Sequence, residues 1–390
     1  MLLFPLLAAS QIVTREDSLS AGLSMSNKNT IISGYGEAKV VYDAEMQTAT
    51  ANLTRVVLFV GYRLQQNITL FTEMEVEDAK VAGGNGELAM EQCVLKFDLH
   101  RNHYLLAGLI IPRIGIMNEN HLPTTFHSND RHLTERFILP STWREIGIGY
   151  YGSSDAITGL NWSFSVMNGL NGEEISGSSG LRDARYEGSH ASASNIAISA
   201  SVLQYIGSFR LQASGYYGGS IGLSPAVADT LGLNTGLFGT PVGLAEFNLQ
   251  YRKKGVTLKG LVTGVQIPQA QELNNAFDHN APRAMYGYYL EAAYNILETR
   301  KKNDHQLDLF ARYESMDRTA SLPENGVDEA TDRMSFLYLG FSYFPSKNVA
   351  IKFDWKKMTT GTPKLLILPD AASGEQLSNS FLQLGLAYSF

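Results

Sequence analysis

From Leu382 to Phe390 every second residue is apolar: Leu382, Leu384, Leu386, Tyr388 and Phe390 alternate with Gln383, Gly385, Ala387 and Ser389. The same alternation returns in 348–357, where Val349, Ile351, Phe353 and Trp355 oppose Ala350, Lys352, Asp354 and Lys356. It recurs in 305–314, 244–252 and 67–77. A period of two puts one residue set on each face of a strand, whereas in a helix it would scatter apolar residues over every side. The chain is therefore expected to be all-β, with strands near 31–42, 52–63, 67–77, 87–99, 103–112, 143–151, 159–168 and 192–204. Eight more are expected near 208–218, 243–252, 255–266, 285–296, 305–316, 333–344, 348–358 and 379–390.

The connections narrow the choice of architecture. Short links at 64–66, 100–102, 152–158, 205–207, 253–254, 297–304 and 345–347 alternate with longer ones at 43–51, 78–86, 113–142, 169–191, 219–242, 267–284, 317–332 and 359–378. A soluble sandwich has no reason to keep its long loops at one end. A transmembrane barrel does: an even number of antiparallel strands, short periplasmic turns and longer outer loops. The expected fold is thus a transmembrane antiparallel β-barrel of about sixteen strands in a bacterial outer membrane, occupying 31–390.

Composition supports this reading where it matters. No run reaches 18 apolar residues, so no transmembrane helix is expected. The 19 Tyr and 36 Gly suit aromatic girdles and many turns. With 31 basic against 38 acidic residues the chain lacks the excess of cations that nucleic acid would require. One cysteine, Cys93, excludes an intramolecular disulfide and a cysteine-based metal site, and no cofactor is expected. Residues 1–10, an apolar run ending Ala8-Ala9-Ser10 without a basic start, are expected to be a truncated signal peptide, and 11–30 a periplasmic segment.

A charge on the lipid face near the membrane midplane would cost roughly 2–4 kcal/mol. Charged strand residues are therefore assigned to the lumen: Glu37, Lys39, Arg55, Glu73, Glu75, Lys96, Asp98, Arg210, Glu246, Lys259, Glu291, Asp308, Arg312, Glu314, Lys352 and Asp354. A charged inner wall implies water, and sixteen strands are wide enough for a channel. The inner signs are mixed, so weak ion selectivity is expected.

Residues 113–142 form the longest link and are expected to fold inward after the fifth strand. They carry apolar anchors (Phe126, Leu133, Phe137, Ile138, Leu139), and Arg113, Arg131, Arg136 and the adjacent Arg144 alternate with Glu119 and Glu135. Two readings stand open for these charges: an eyelet lined by opposite signs, or salt bridges that fix the loop to the wall. His121, His127 and His132 match no metal-ligand spacing and are read as water-exposed loop residues, so no metal is expected.

The run Glu135-Arg136-Phe-Ile-Leu-Pro140-Ser-Thr-Trp143-Arg144-Glu145-Ile-Gly147-Ile-Gly149 resembles the segment leaving the third loop of the phosphate-selective porin O and P family. The strand count, the long loop between strands five and six and the terminal aromatic strand add to the likeness. The resemblance implies a porin for small polar or ionic solutes, a homotrimer in outer-membrane lipid, a third-loop constriction, and Phe390 as the signal read by the barrel-assembly machinery. The arginine ladder and lysine clusters of the phosphate-binding members have no match here, so a general porin is expected. A barrel enzyme would need a Ser-His or Asp-His constellation at one rim, and the eight His residues fall mainly in turns and loops. A structural or adhesive barrel would act through the loops at 169–191 and 219–242.

Overall fold

The computed structural model describes residues 29–80, 84, 86–298, 305–361 and 378–390. The expected signal peptide at 1–10 and the segment at 11–28 lie outside the described residues. Sixteen strands appear in chain order. The first eight are β1 (Thr30–Asp43), β2 (Thr48–Gln65), β3 (Ile68–Glu77), β4 (Glu87–His100), β5 (His103–Ile110), β6 (Glu145–Ser153), β7 (Leu160–Asn168) and β8 (Ile196–Ile206). The others are β9 (Phe209–Gly218), β10 (Val242–Lys253), β11 (Val256–Gln266), β12 (Ala284–Asn295), β13 (Gln306–Ser321), β14 (Arg333–Ser346), β15 (Val349–Thr360) and β16 (Ser378–Ser389). Each pairs antiparallel with its sequence neighbours, and β1 pairs with β16 from Tyr35↔Ser389 to Asp43↔Phe381, which closes the barrel. Closure gives every strand two partners and leaves no sheet edge, as a lipid environment demands.

The alternation that identified the strands sorts their side chains. On β16 Leu382, Leu384 and Leu386 are exposed on the outside while Gln383 and Ala387 are buried inside. On β13 Leu309 and Tyr313 face out, and Asp308, Phe310, Arg312 and Glu314 face in. Bulges at Glu37/Ala38 and Glu73/Met74 shift the register locally. The second admits both Glu91 and Gln92 of β4 to the buried set.

Loop rhythm follows the expectation with one exception. The first outer link was read as 43–51, but β2 begins at Thr48, leaving only four residues between β1 and β2. Thr48–Asn52 continue the ladder with β1, and their small or polar, exposed side chains need no core to hold them in a strand. Thr30 pairs with Tyr62 and Phe390 bonds to Gly34, so the ends of the barrel chain lie at the short-turn rim.

Candidate constriction site in the barrel lumen

Residues 111–144 leave β5 and return to β6, but between those points they cross the lumen. Gly115 donates its N–H to Glu246 of β10 (3.2 Å) and accepts from Gln212 of β9 (3.1 Å). Gly115 sits at φ 76°, and a Cβ there would strike the Glu135 carboxylate, so only glycine fits this step. Further on, Lys259 of β11 reaches the Thr125 carbonyl (3.3 Å) and Lys352 of β15 the Ser128 carbonyl (3.0 Å). Asp354 of β15 accepts from both the backbone and the side chain of Asn129, at 2.8 and 2.7 Å. Gly385 of β16 lacks a side chain where the Asn129 amide presses against the wall.

Asp130, at the far tip, binds Lys39 of β1 and Lys356 of β15, each at 2.8 Å, and accepts from Gln383 of β16 at 3.0 Å. Burial would raise its pKa, but the two ammonium groups outweigh that and hold the carboxyl well below the usual range. One loop carboxylate thereby ties together strands on both sides of the β1–β16 seam.

The side of the loop facing β7–β12 is packed dry. Ile138, Leu139 and Trp143 share one buried cluster with Leu170, Ile175 and Leu181, with Ile221, Ala228 and Leu233, and with Ile267 and Leu273 from the other outer loops. A five-residue helix, α1 (Leu133–Phe137), rests against β12 and β13, where Thr134 N–H donates to Glu314 (2.9 Å).

The six residues expected at a constriction fall into different environments. Arg113 and Glu119 pair at 2.8 Å, with Arg210 of β9 3.8 Å from Glu119 and the Arg113 guanidinium over the Tyr151 ring. Arg131 is half-buried and donates to the His121 carbonyl, while Arg136 is exposed beside the Phe137 ring. Glu135 is fully buried: it accepts from Ile116 and Met117 N–H (2.8 and 2.7 Å) and from the Tyr289 hydroxyl (2.6 Å). Arg144 is buried between Glu91 (2.9 Å) and Glu187 (2.7 Å) at the root of the loop. Sequence position brought these six together as residue types, but their directions diverge.

The lumenal charges form a paired inner lining. Arg55 bridges Glu37 and Glu75, both at 2.7 Å, and Glu73 accepts from Tyr35 and Gln92. Lys96 lies 2.5 Å from Asp98 and over the Tyr104 ring. Lys352 stacks on the Phe126 ring at 3.9 Å. Arg312 holds Glu314 (3.0 Å) and Glu291 (3.7 Å), donates to Ser128 Oγ (2.6 Å) and lies over the Tyr338 ring.

The loop histidines are a correction to the sequence reading, which left them in water. His127 and His132 are buried and converge on opposite oxygens of Glu291, at 2.8 and 3.3 Å. Burial pulls His127 down, but Glu291 and Asp308 overcome it and its pKa is raised. His132, stacked 4.1 Å from the Tyr289 ring, is pushed down to about 4 by burial and by the nearby Arg312 charge. A six- or five-residue spacing carries no signal for this meeting, because the shared partner lies more than 150 residues away. Among the described residues no three His, Cys, Asp or Glu side chains converge as a metal site.

Below the loop, at the short-turn rim, lies a cavity of about 590 Å³. Asn120, Thr124 and Thr125 form its loop side, and Arg210, Arg252, Lys259 and Lys347 stand around it with one carboxylate, Asp308. The wall residues near the turns were not singled out by the sequence, since Arg252 and Lys347 sit at strand ends where a charge is unremarkable on either face.

No family model matches the chain. Among solved structures, an anion-selective porin from Comamonas acidovorans is similar over 93% of this chain and 99% of its own, with TM-score 0.56 and 13% identity. OmpF of Salmonella typhi, in complex with daunomycin, is similar over 93% and 97%, with TM-score 0.57 and 10% identity. These likenesses establish the porin-type barrel fold. An uncharacterised protein of Aquifex aeolicus (strain VF5) is 30% identical over 342 residues, which cover 84% of this chain and 75% of that protein. The chain, a closed barrel of sixteen antiparallel strands with a loop crossing its lumen, belongs to the same family as this Aquifex aeolicus protein.

Proposed function

We propose that the protein is an outer-membrane porin, a passive diffusion channel for small polar or ionic solutes. The observation that carries this reading is the long loop that crosses a closed, charge-lined barrel without meeting the wall in apolar contact on every side. Lys39, Glu77, Arg131 and Arg136 keep solvent contact around the loop, and a chamber of about 590 Å³ lies beneath it. Charged walls hold water, and water is what a polar solute needs to cross a membrane. The rest of the proposal follows the resemblance to porins: a homotrimer in outer-membrane lipid, inserted by the barrel-assembly machinery through its terminal strand and Phe390. A phosphate-selective channel is the narrower reading and lacks support from matching basic runs.

The chamber refines the expectation of weak selectivity. Arg252 and Lys347 favour anions at the short-turn mouth, while Arg210 and Lys259 face Glu119 and Glu291 and the paired charges above contribute little net field. In a planar bilayer under a salt gradient the purified protein is expected to conduct in steps, with a reversal potential on the anion side. Replacing the exposed Arg252 and Lys347 by Glu should move that potential toward cations without loss of folded protein. Steps with a cation preference in the parent would contradict the anion assignment, and a folded barrel without steps would contradict the channel.

A further inference from the structure

Glu135 is the one carboxylate of the loop that is fully buried without a cation. Its Oε2 takes the N–H groups of Ile116 and Met117, and its Oε1 takes the Tyr289 hydroxyl. These bonds join the start of the loop, the α1 turn and β12 at one point. Among the described residues no cation pairs with it. The charged group of β10 that faces it, Glu246, has its own sign and is engaged by Gly115, Ser214, Gln212 and Asn248. The other loop carboxylates differ: Glu119 has Arg113, and Asp130 has Lys39 and Lys356. A charge buried without a counter-ion is costly and is relieved by taking a proton or by returning to water.

Resting on the channel reading above, we infer that Glu135 is the positioning residue of the constriction loop, and that gain or loss of its proton docks or releases the loop. The channel is then narrow in mild acid and wider in mild alkali. Burial, offset only in part by the three hydrogen bonds, pushes the Glu135 carboxyl up from 4.5 to about 7. Docking is therefore favoured fully below about pH 4.5, and that support is lost as pH rises through about 7. Between pH 5 and 8 this one group shifts the docked-to-released ratio on the order of fifty-fold. His127, facing Glu291 of β12, Asp308 of β13 and Lys259 of β11, acts in the same direction, since its pKa is raised. His132, facing Glu291, Tyr289, Arg312 and Glu314, acts in the opposite sense: its contribution is present above 6.5 and lost as pH falls through about 4, so between pH 5 and 8 it offsets much of the Glu135 effect.

The test is single-channel conductance of the full-length protein between pH 5 and 8, with the folded state checked at each pH by heat-dependent gel mobility. The parent should gain conductance as pH rises. E135Q, which keeps the hydrogen-bond geometry without the charge, should lose that gain, leaving only the opposed contributions of His127 and His132. Y289F removes one bond to the ionised carboxylate, so it should raise the Glu135 pKa and move the transition to higher pH. Y289F also reports if E135Q fails to fold. Trypsin cleavage at Arg131 and Arg136, normalised to the unfolded chain, gives a readout that needs no conduction, and it should quicken with pH in the parent and, at higher pH, in Y289F, but not in E135Q. A conducting parent with flat pH response, or E135Q titrating like the parent, would overturn the inference. A folded barrel that never conducts but whose loop cleavage follows pH would overturn the channel reading and leave the role of Glu135 supported.

Discussion

Removal of residues 118–134 is expected to raise single-channel conductance several-fold and to weaken discrimination between small solutes. This stretch contains the segment that crosses from the β9–β10 wall to β15, β16 and β1, ending at Asp130 with its bonds to Lys39, Lys356 and Gln383. Without it the lumen loses backbone that crosses from one wall to the other. The barrel itself should survive, because strand pairing around the ring, including β1 with β16, makes no use of the loop. Stability should nevertheless fall. Asp354 loses both Asn129 donors, Glu291 loses His127 and His132, and Lys39 and Lys356 lose their shared carboxylate. The deletion protein should therefore appear as a folded, heat-modifiable band with a lower unfolding temperature and larger current steps. Unchanged steps would place the loop outside the conducting path.

Arg312→Met should destabilise the protein by about 3–5 kcal/mol, the range for breaking a buried ion pair from one side. The guanidinium is wholly buried between Glu314 and Glu291, covered by the Tyr338 ring and bonded to Ser128 and the Asp130 carbonyl. Methionine fills part of the space but leaves Glu314 without its cation; Glu291 still has His127 and Lys259. Arg312→Lys keeps the charge and loses the planar fork, so it should fall between parent and Met. Adding Glu314→Gln to Arg312→Met should recover part of the loss, because the two sites act as one unit. Urea unfolding in lipid vesicles measures these differences. Equal midpoints for parent and Arg312→Met would show that the cation is not structural.

The barrel was legible because its signal is local and repeated. Leu382 to Phe390 or Val349 to Trp355 declare two faces without reference to any distant residue, and lipid excludes charge from one of them. The inner assignment of Arg312, Lys352 and Asp354 follows from the same cost. The presence of the loop was legible from its length and from apolar residues that need a dry surface, and Ile138 and Leu139 find one against the other outer loops. Its interior was not. Glu135, Arg136 and Arg144 are close in sequence, yet one is buried against Tyr289, one is exposed and one is clamped by Glu91 and Glu187. Residue type reveals that a charge is present; its direction depends on partners on other elements, 154 residues away for Glu135 and 53 and 43 for Arg144. The histidines make the same point, since only the closed barrel brings Glu291 to them. Asp130, Arg113 and Arg144 fix the loop, while Arg131 and Arg136 keep contact with solvent.

Solute entry into liposomes that carry the purified, folded protein and nothing else decides whether the barrel is a channel. Swelling in isotonic solutions of polar solutes of increasing size, at a fixed pH near 6, reports passage through the lumen itself. Rapid swelling is expected with the smallest solutes, a steep fall as size increases, and a shift of that fall to larger solutes when residues 118–134 are removed. Liposomes holding heat-modifiable, folded barrel that fail to swell in even the smallest polar solute, with or without the loop, would contradict the channel reading.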